Sequence, residues 1–168
     1  DLDLLYYSLR DLPPGLEDVG RRTVAAFKLR ERFFHIEFFR TDNGSDAARW
    51  VALEINMRPP GGLTMDMFNY ANDANFFQVW ADVVAGKEIA ETYTRPYHCA
   101  YIGRKNVLRH QLSREEILRS YGDLIVHHGP MSAVLSPALG NYAYLLRSPD
   151  LDVILAASAR IRALEGAD

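Results

Sequence analysis

The stretch that decides the fold is Phe33 to Gly62, FFHIEFFRTDNGSDAARWVALEINMRPPGG. Phe33 to Arg40 is rich in aromatic and β-branched side chains, which suit a pleated, half-buried surface, and Trp50 to Met57 has the same character. The polar run TDNGSD separates them, so the segment reads as two antiparallel strands and a connection. Alternation along a strand puts Glu54, Asn56 and Arg58 on one face, with Val51, Leu53, Ile55 and Met57 on the other. The same parity puts His35 and Glu37 together. In register, two carboxylates, a carboxamide and a guanidinium share one patch of an otherwise apolar sheet, and burying that charge is costly unless a counter-charge answers it. A cation is one answer. Mg²⁺ is held by carboxylates together with phosphate oxygens, which suits Glu37, Glu54 and Asn56, while the planar fork of Arg58 suits a phosphate or a carboxylate. Solvent is the other answer, because a Glu-x-Asn-x-Arg alternation also describes the wet face of an antiparallel pair. His35, between phenylalanines, reads as a core residue rather than a ligand. Pro59, Pro60, Gly61 and Gly62 end the second strand, and the glycines let a backbone approach a ligand closely.

Beyond Gly62, the segment LTMDMFNYA carries Asp66, Asn69 and Tyr70. They line a substrate pocket if the glycine loop turns back over the sheet; otherwise they sit on a short helix whose Met65, Met67 and Phe68 enter the core. Asn72 or Asp73 is expected to cap a helix running to Ala85, with Phe76, Phe77, Trp80, Val83 and Val84 on its buried side and Gly86 at its stop. Tyr97 to Arg104 reads as a strand turning into another near Val107 to Gln111, and the basic residues Arg104, Lys105, Arg109 and His110 as a solvated tip. Ser113 and Glu116 predict a capping box for a helix to about Tyr121. Leu124 to His128 and Asn141 to Leu146 read as strands; the neighbours His127 and His128 point to opposite faces and cannot easily share a metal. Ser148, with Pro149 at the first helical position, is expected to cap a last helix whose apolar stripe includes Ile154 and Ile161.

Upstream, Leu2 to Leu9 reads as a strand ended by Pro13, Pro14 and Gly15, and Leu16 to Leu29 as an amphipathic helix. Its Arg21, Arg22 and Lys28 are most simply a solvated face. Strands and helices mix without the strict alternation of a doubly wound sheet. The predicted class is α+β, an antiparallel sheet with helices packed on one side.

The chain has 168 residues, 48% hydrophobic and 24% charged, with net charge −3, enough for one core. That charge gives no basic footprint for nucleic acid, and no apolar run is long enough to span a bilayer. The single cysteine, Cys99, cannot form an internal disulfide and suits a reducing, cytoplasmic compartment. The chain opens on Asp-Leu-Asp rather than methionine, so it is expected to begin inside a longer protein.

Glu37 in HIEFF, followed by Glu54, Asn56 and Arg58 in ALEINMRPPGG, resembles the metal and phosphate end of ATP-grasp enzymes such as biotin carboxylase and carbamoyl-phosphate synthetase. The connection through Asp42 to Arg49 is longer than in biotin carboxylase. The resemblance implies that Glu37, Glu54 and Asn56 bind Mg²⁺, with Mn²⁺ able to replace it, against the phosphates of ATP. It implies further that Arg58 steadies the transferring group, and that the segment of Gly61, Gly62, Asp66 and Asn69 meets the substrate. The implied function is that of an ATP-dependent ligase, which activates a small carboxylate as an acyl phosphate and joins it to an amine or another nucleophile, releasing ADP and phosphate. The family's lysine-bearing lid and its earlier domain are absent from this sequence. Residues 1–168 are therefore expected to form a single C-terminal subdomain, inactive alone, with homo-oligomers allowed and no nucleic acid or membrane partner. Two other classes share these residues: a degenerate module that binds nucleotide or a partner without chemistry, and a metal-dependent phosphohydrolase.

Overall fold

In the computed structural model, which describes residues 2–41, 49–89 and 93–166, the chain runs β1 (Leu4–Ser8), α1 (Leu16–Ala26), β2 (His35–Thr41), β3 (Arg49–Asn56), α2 (Thr64–Asn72) and α3 (Phe76–Val84). It continues through β4 (His98–Arg104), α4 (Arg114–Tyr121), β5 (Ile125–Pro130), α5 (Ser136–Leu139), β6 (Tyr142–Ser148) and α6 (Leu151–Arg162). The class is α+β, and every strand pairing is antiparallel. Two compact units result: Asp1–Arg10, Gly62–Ala74 and Tyr93–Asp168 form one, Asp11–Gly61 and Asn75–Thr92 the other.

The first unit holds a four-stranded sheet in the order β1-β4-β6-β5. Its central strands, β4 and β6, carry unbroken apolar runs, Cys99 to Ile102 and Tyr142 to Leu146, because both of their faces are covered. Cys99, Tyr101, Ala143 and Leu145 pack with Met67 and Ala71 of α2. The alternate residues Ile102, Tyr144 and Leu146 pack with Ile117 of α4 and with Ala157 and Ile161 of α6. Helices therefore flank both faces of this sheet, where one covered side was expected. Residues near Val107 to Gln111 form no strand beyond a single bridge between His110 and Leu164. Their backbone donors are answered otherwise: Lys105 N by Asp3 Oδ1 at 2.8 Å, Asn106 N by Asn141 Oδ1 at 2.9 Å, and Gln111 N by Ala163 O at 2.9 Å. The capping box of α4 forms as expected, Ser113 Oγ accepting from Glu116 N and Glu116 Oε2 from Ser113 N. The last helix is capped by Asp150 rather than Ser148, which instead accepts from Asp150 N.

The second unit contains the two-stranded sheet of β2 and β3, with α1 and α3. Trp50 fixes β3 to the entry of α1 by donating from Nε1 to Pro14 O at 3.1 Å. Arg21 and Arg22 pair with Glu17 and Asp18 one turn earlier on the exposed side of α1, the solvated face its pattern predicts. Helix α3 is capped by Asn75, whose Oδ1 accepts from Gln78 N; Asn72 and Asp73 instead end α2, Asp73 in a left-handed conformation. The expected buried stripe of α3 forms only in part, with Phe76 and Val83 half-buried. Val79 is the buried residue, whereas Phe77, Trp80 and Val84 are 46%, 42% and 73% exposed.

Candidate metal centre

The register of the two-stranded sheet brings the acidic residues together. Glu37 lies directly opposite Glu54, and the next pair on that face is His35 opposite Asn56. Cross-strand partners on one face have Cβ atoms only about 5 Å apart, so the side chains of these residues converge. His35 Nε2 is 3.5 Å from Glu37 Oε1. Asn56 donates from Nδ2 to Glu54 Oε1 at 2.7 Å, which holds that carboxylate and leaves the amide oxygen available. His35, Glu37 and Glu54 can each offer a ligand atom within 4.8 Å of the others.

A bulge shapes the rest of this face. Glu37 pairs with Glu54 but Phe38 pairs with Ala52, so Leu53 is the extra residue on β3. The bulge reverses the parity of β3 on its far side. Val51, expected opposite the carboxylates with Leu53, Ile55 and Met57, pairs with Phe39 on the carboxylate face. Both side chains are about half exposed, at 57% for Phe39 and 51% for Val51. Ile36, Ile55, Phe38 and Trp50 occupy the reverse face. The polar patch is thus bordered along the strands by exposed apolar side chains. The connection at residues 42–48 lies outside the described residues.

Strand β3 ends at Asn56, so the alternation that joins Glu54 to Asn56 stops before Arg58. Arg58 is exposed and donates from Nη1 to Pro59 O at 3.0 Å, and among the described residues Nε and Nη2 are left for another acceptor. Gly61 has open space where a Cβ would stand, and it closes the segment belonging to the second unit. Gly62 belongs to the first unit and has φ +62°; a Cβ there would come 2.9 Å from Leu139 Cδ1. Asp66 and Asn69 follow in that unit on α2, Asp66 in its first turn. Asn69 lines a cavity of about 440 Å³ with Tyr70, Asp73, Val126 and Arg147. Arg147 forms an ion pair with Asp73 and lies over the Tyr97 ring, 4.5 Å from its centroid.

The donor set fits a divalent cation. Among the described residues neither glutamate is paired with a lysine or arginine, so their adjacent negative charges have His35 and the Asn56 amide as neighbours. Two carboxylates and an amide oxygen on one sheet face match hard, oxygen-seeking ions. His35, whose position between apolar residues suggests a core residue rather than a ligand, stands instead on the carboxylate face beside Glu37.

The fold has a counterpart among solved structures. The crystal structure of phosphoribosylglycinamide synthetase from Anaerococcus prevotii superposes with a TM-score of 0.61 at 9% identity, over 95% of this chain and 44% of that chain. At this identity the likeness is one of fold, and this chain spans less than half the synthetase's length. No family model matches the sequence, and no curated protein matches it. No helix among the described residues is long and apolar enough to cross a membrane. The arrangement of strands and helices is that of part of the synthetase's fold.

Proposed function

We propose that this chain is the metal-and-phosphate portion of an ATP-dependent ligase. In the whole protein, a small carboxylate would be activated by the γ-phosphoryl group of ATP. An amine or another nucleophile would then displace phosphate from the acyl phosphate, leaving ADP. The observation that carries this reading is the direct opposition of Glu37 and Glu54, with Asn56 next on the same face, in a fold of ATP-grasp type. Residues for the lid over the nucleotide, and some of those that bind the other substrate, would come from outside these 168 residues.

Phosphoryl transfer asks a protein for positioning and charge neutralisation more than for covalent participation. Glu37, Glu54 and Asn56 would hold Mg²⁺, or Mn²⁺ in its place, and the bound ion would neutralise charge on the phosphates of ATP. Asn56 keeps the Glu54 carboxylate in place through its amide hydrogen bond. Arg58, with two guanidinium nitrogens uncommitted, would meet the transferring group or the acyl carboxylate. Gly61 and Gly62 would let the backbone approach the substrate, and Asp66 and Asn69 would contact it from α2.

The test is calorimetric titration of the chain with ADP in the presence and absence of Mg²⁺. Weak binding that requires the metal, and that Glu54→Ala abolishes, is expected. Binding of ADP indifferent to Mg²⁺ and to Glu54 would overturn the assignment. In the full-length protein, loss of one carboxylate ligand should lower the ligation rate on the order of a hundredfold or more.

A further inference from the structure

His35 has no task in gripping phosphate, yet it stands on the carboxylate face beside Glu37 and opposite Asn56. Its ring can place a nitrogen within 4.8 Å of an oxygen of each glutamate. Ligand atoms at about 2.0–2.3 Å from a shared ion are themselves about 3–4.5 Å apart, so small side-chain rotations suffice to close the set. The side chain is 31% exposed, and its Nδ1 is enclosed with no hydrogen-bond partner among the described residues. Its other nitrogen, Nε2, is 3.5 Å from Glu37 Oε1, and an imidazole nitrogen beside carboxylates that no described lysine or arginine pairs with is suited to a cation.

We propose that His35 is a third side-chain ligand of this centre, so that the ion is held by an imidazole nitrogen together with Glu37, Glu54 and Asn56. The centre then prefers Mn²⁺ to Mg²⁺. Mg²⁺ is a hard ion that takes oxygen and gives up its water reluctantly, while first-row transition ions gain more from imidazole nitrogen. This rests on reading Glu37, Glu54 and Asn56 as a metal site, and it adds the residue that sets which ion the site selects.

Mn²⁺ alone serves as the probe. Electron spin echo envelope modulation of the Mn²⁺-loaded wild-type chain should show coupling to a directly bound imidazole nitrogen, a measurement that does not depend on any variant folding. His35→Asn should abolish that coupling. It should also weaken Mn²⁺ binding on the order of tenfold or more, and Mg²⁺ binding by less, so that the ratio of the two affinities moves with His35. Bound Mn²⁺ that Glu54→Gln releases, but whose spectrum carries no nitrogen coupling, would overturn the role of His35 and leave the carboxylate site standing. Failure of the wild-type chain to bind either ion would overturn both, because there would be no centre for His35 to join.

Discussion

Cys99 is fully enclosed in β4, between Ser8 of β1 and Arg147 of β6. Burial pushes its thiol up to about 12, against a smaller opposing pull from Arg147. Burial likewise raises the phenols of Tyr6, Tyr101 and Tyr144. A group that holds its proton more tightly folded than unfolded adds stability that is intact below its unfolded value and lost as pH rises through its folded one. For the thiol this window opens near its ordinary value of 9.0 and closes at about 12, and the phenols steepen the loss from about pH 10 upward. Stability measured by urea denaturation should therefore hold up to about pH 8.5 and fall steadily above pH 9. Cys99→Ala should flatten the first part of that fall, and stability unchanged between about pH 9 and 11 would show that these groups ionise freely in the folded state. Single residues were unevenly legible in the sequence. Parity alone joins Glu54 to Asn56 and His35 to Glu37, whereas the meeting of the two pairs depends on the cross-strand register, and Val51 took its place from the bulge at Leu53, which no local pattern carries.

At the scale of elements, the strongest constraint is a backbone crossing between β4 and the turn after α5. A Cβ on Gly103 would stand 1.8 Å from Leu139 O, and Gly140, at φ +91°, would put its own Cβ 2.6 Å from the Gly103 carbonyl carbon. The two glycines allow α5 and the start of β6 to lie directly on β4, with Tyr101 donating its hydroxyl to Leu139 O at 2.8 Å. Backbone cannot yield as a flexible side chain does. Gly103→Ala should therefore cost about 1–3 kcal/mol or more in urea denaturation. Gly129→Ala on β5 is the control: a Cβ there meets nothing within 4 Å, so a change within about 0.5 kcal/mol is expected. Equal effects at the two positions would mean that the crossing is looser than the geometry requires. The capping box of α4 was legible because Ser113 and Glu116 carry their signal within one turn. The caps of α3 and α6 were displaced by two or more residues, since several Asn, Asp and Ser side chains stand near each start and the hydrogen bond goes to whichever meets a free N–H.

For the whole molecule, the α+β class followed from the irregular order of strands and helices, and the double cover of the main sheet is written in the continuous apolar runs of β4 and β6. What composition could not reveal is how unevenly burial is divided. Among the described residues, every buried apolar one except Val79 belongs to the unit built on β1, β4, β5 and β6, where Cys99 to Ile102 and Ala143 to Leu146 are wholly inaccessible. The unit of β2, β3, α1 and α3 instead exposes Phe27, Phe39, Leu53 and Trp80, and its sheet has only two strands. An isolated pair of strands is marginally stable, because little apolar area is withdrawn from water to offset backbone entropy. Local opening should therefore be far easier in that unit. Amide hydrogen exchange should show β4, β6 and α6 opening only with global unfolding, while β2 and β3 exchange through local fluctuations several orders of magnitude faster. If Mg²⁺ with ADP engages Glu37 and Glu54, the exchange of β2 and β3 should slow on adding both, as expected for a ligand that binds the closed form of a locally opening element. Protection of β2 and β3 equal to that of β4 in the free protein would mean that the two-stranded sheet is held by more than its own pairing.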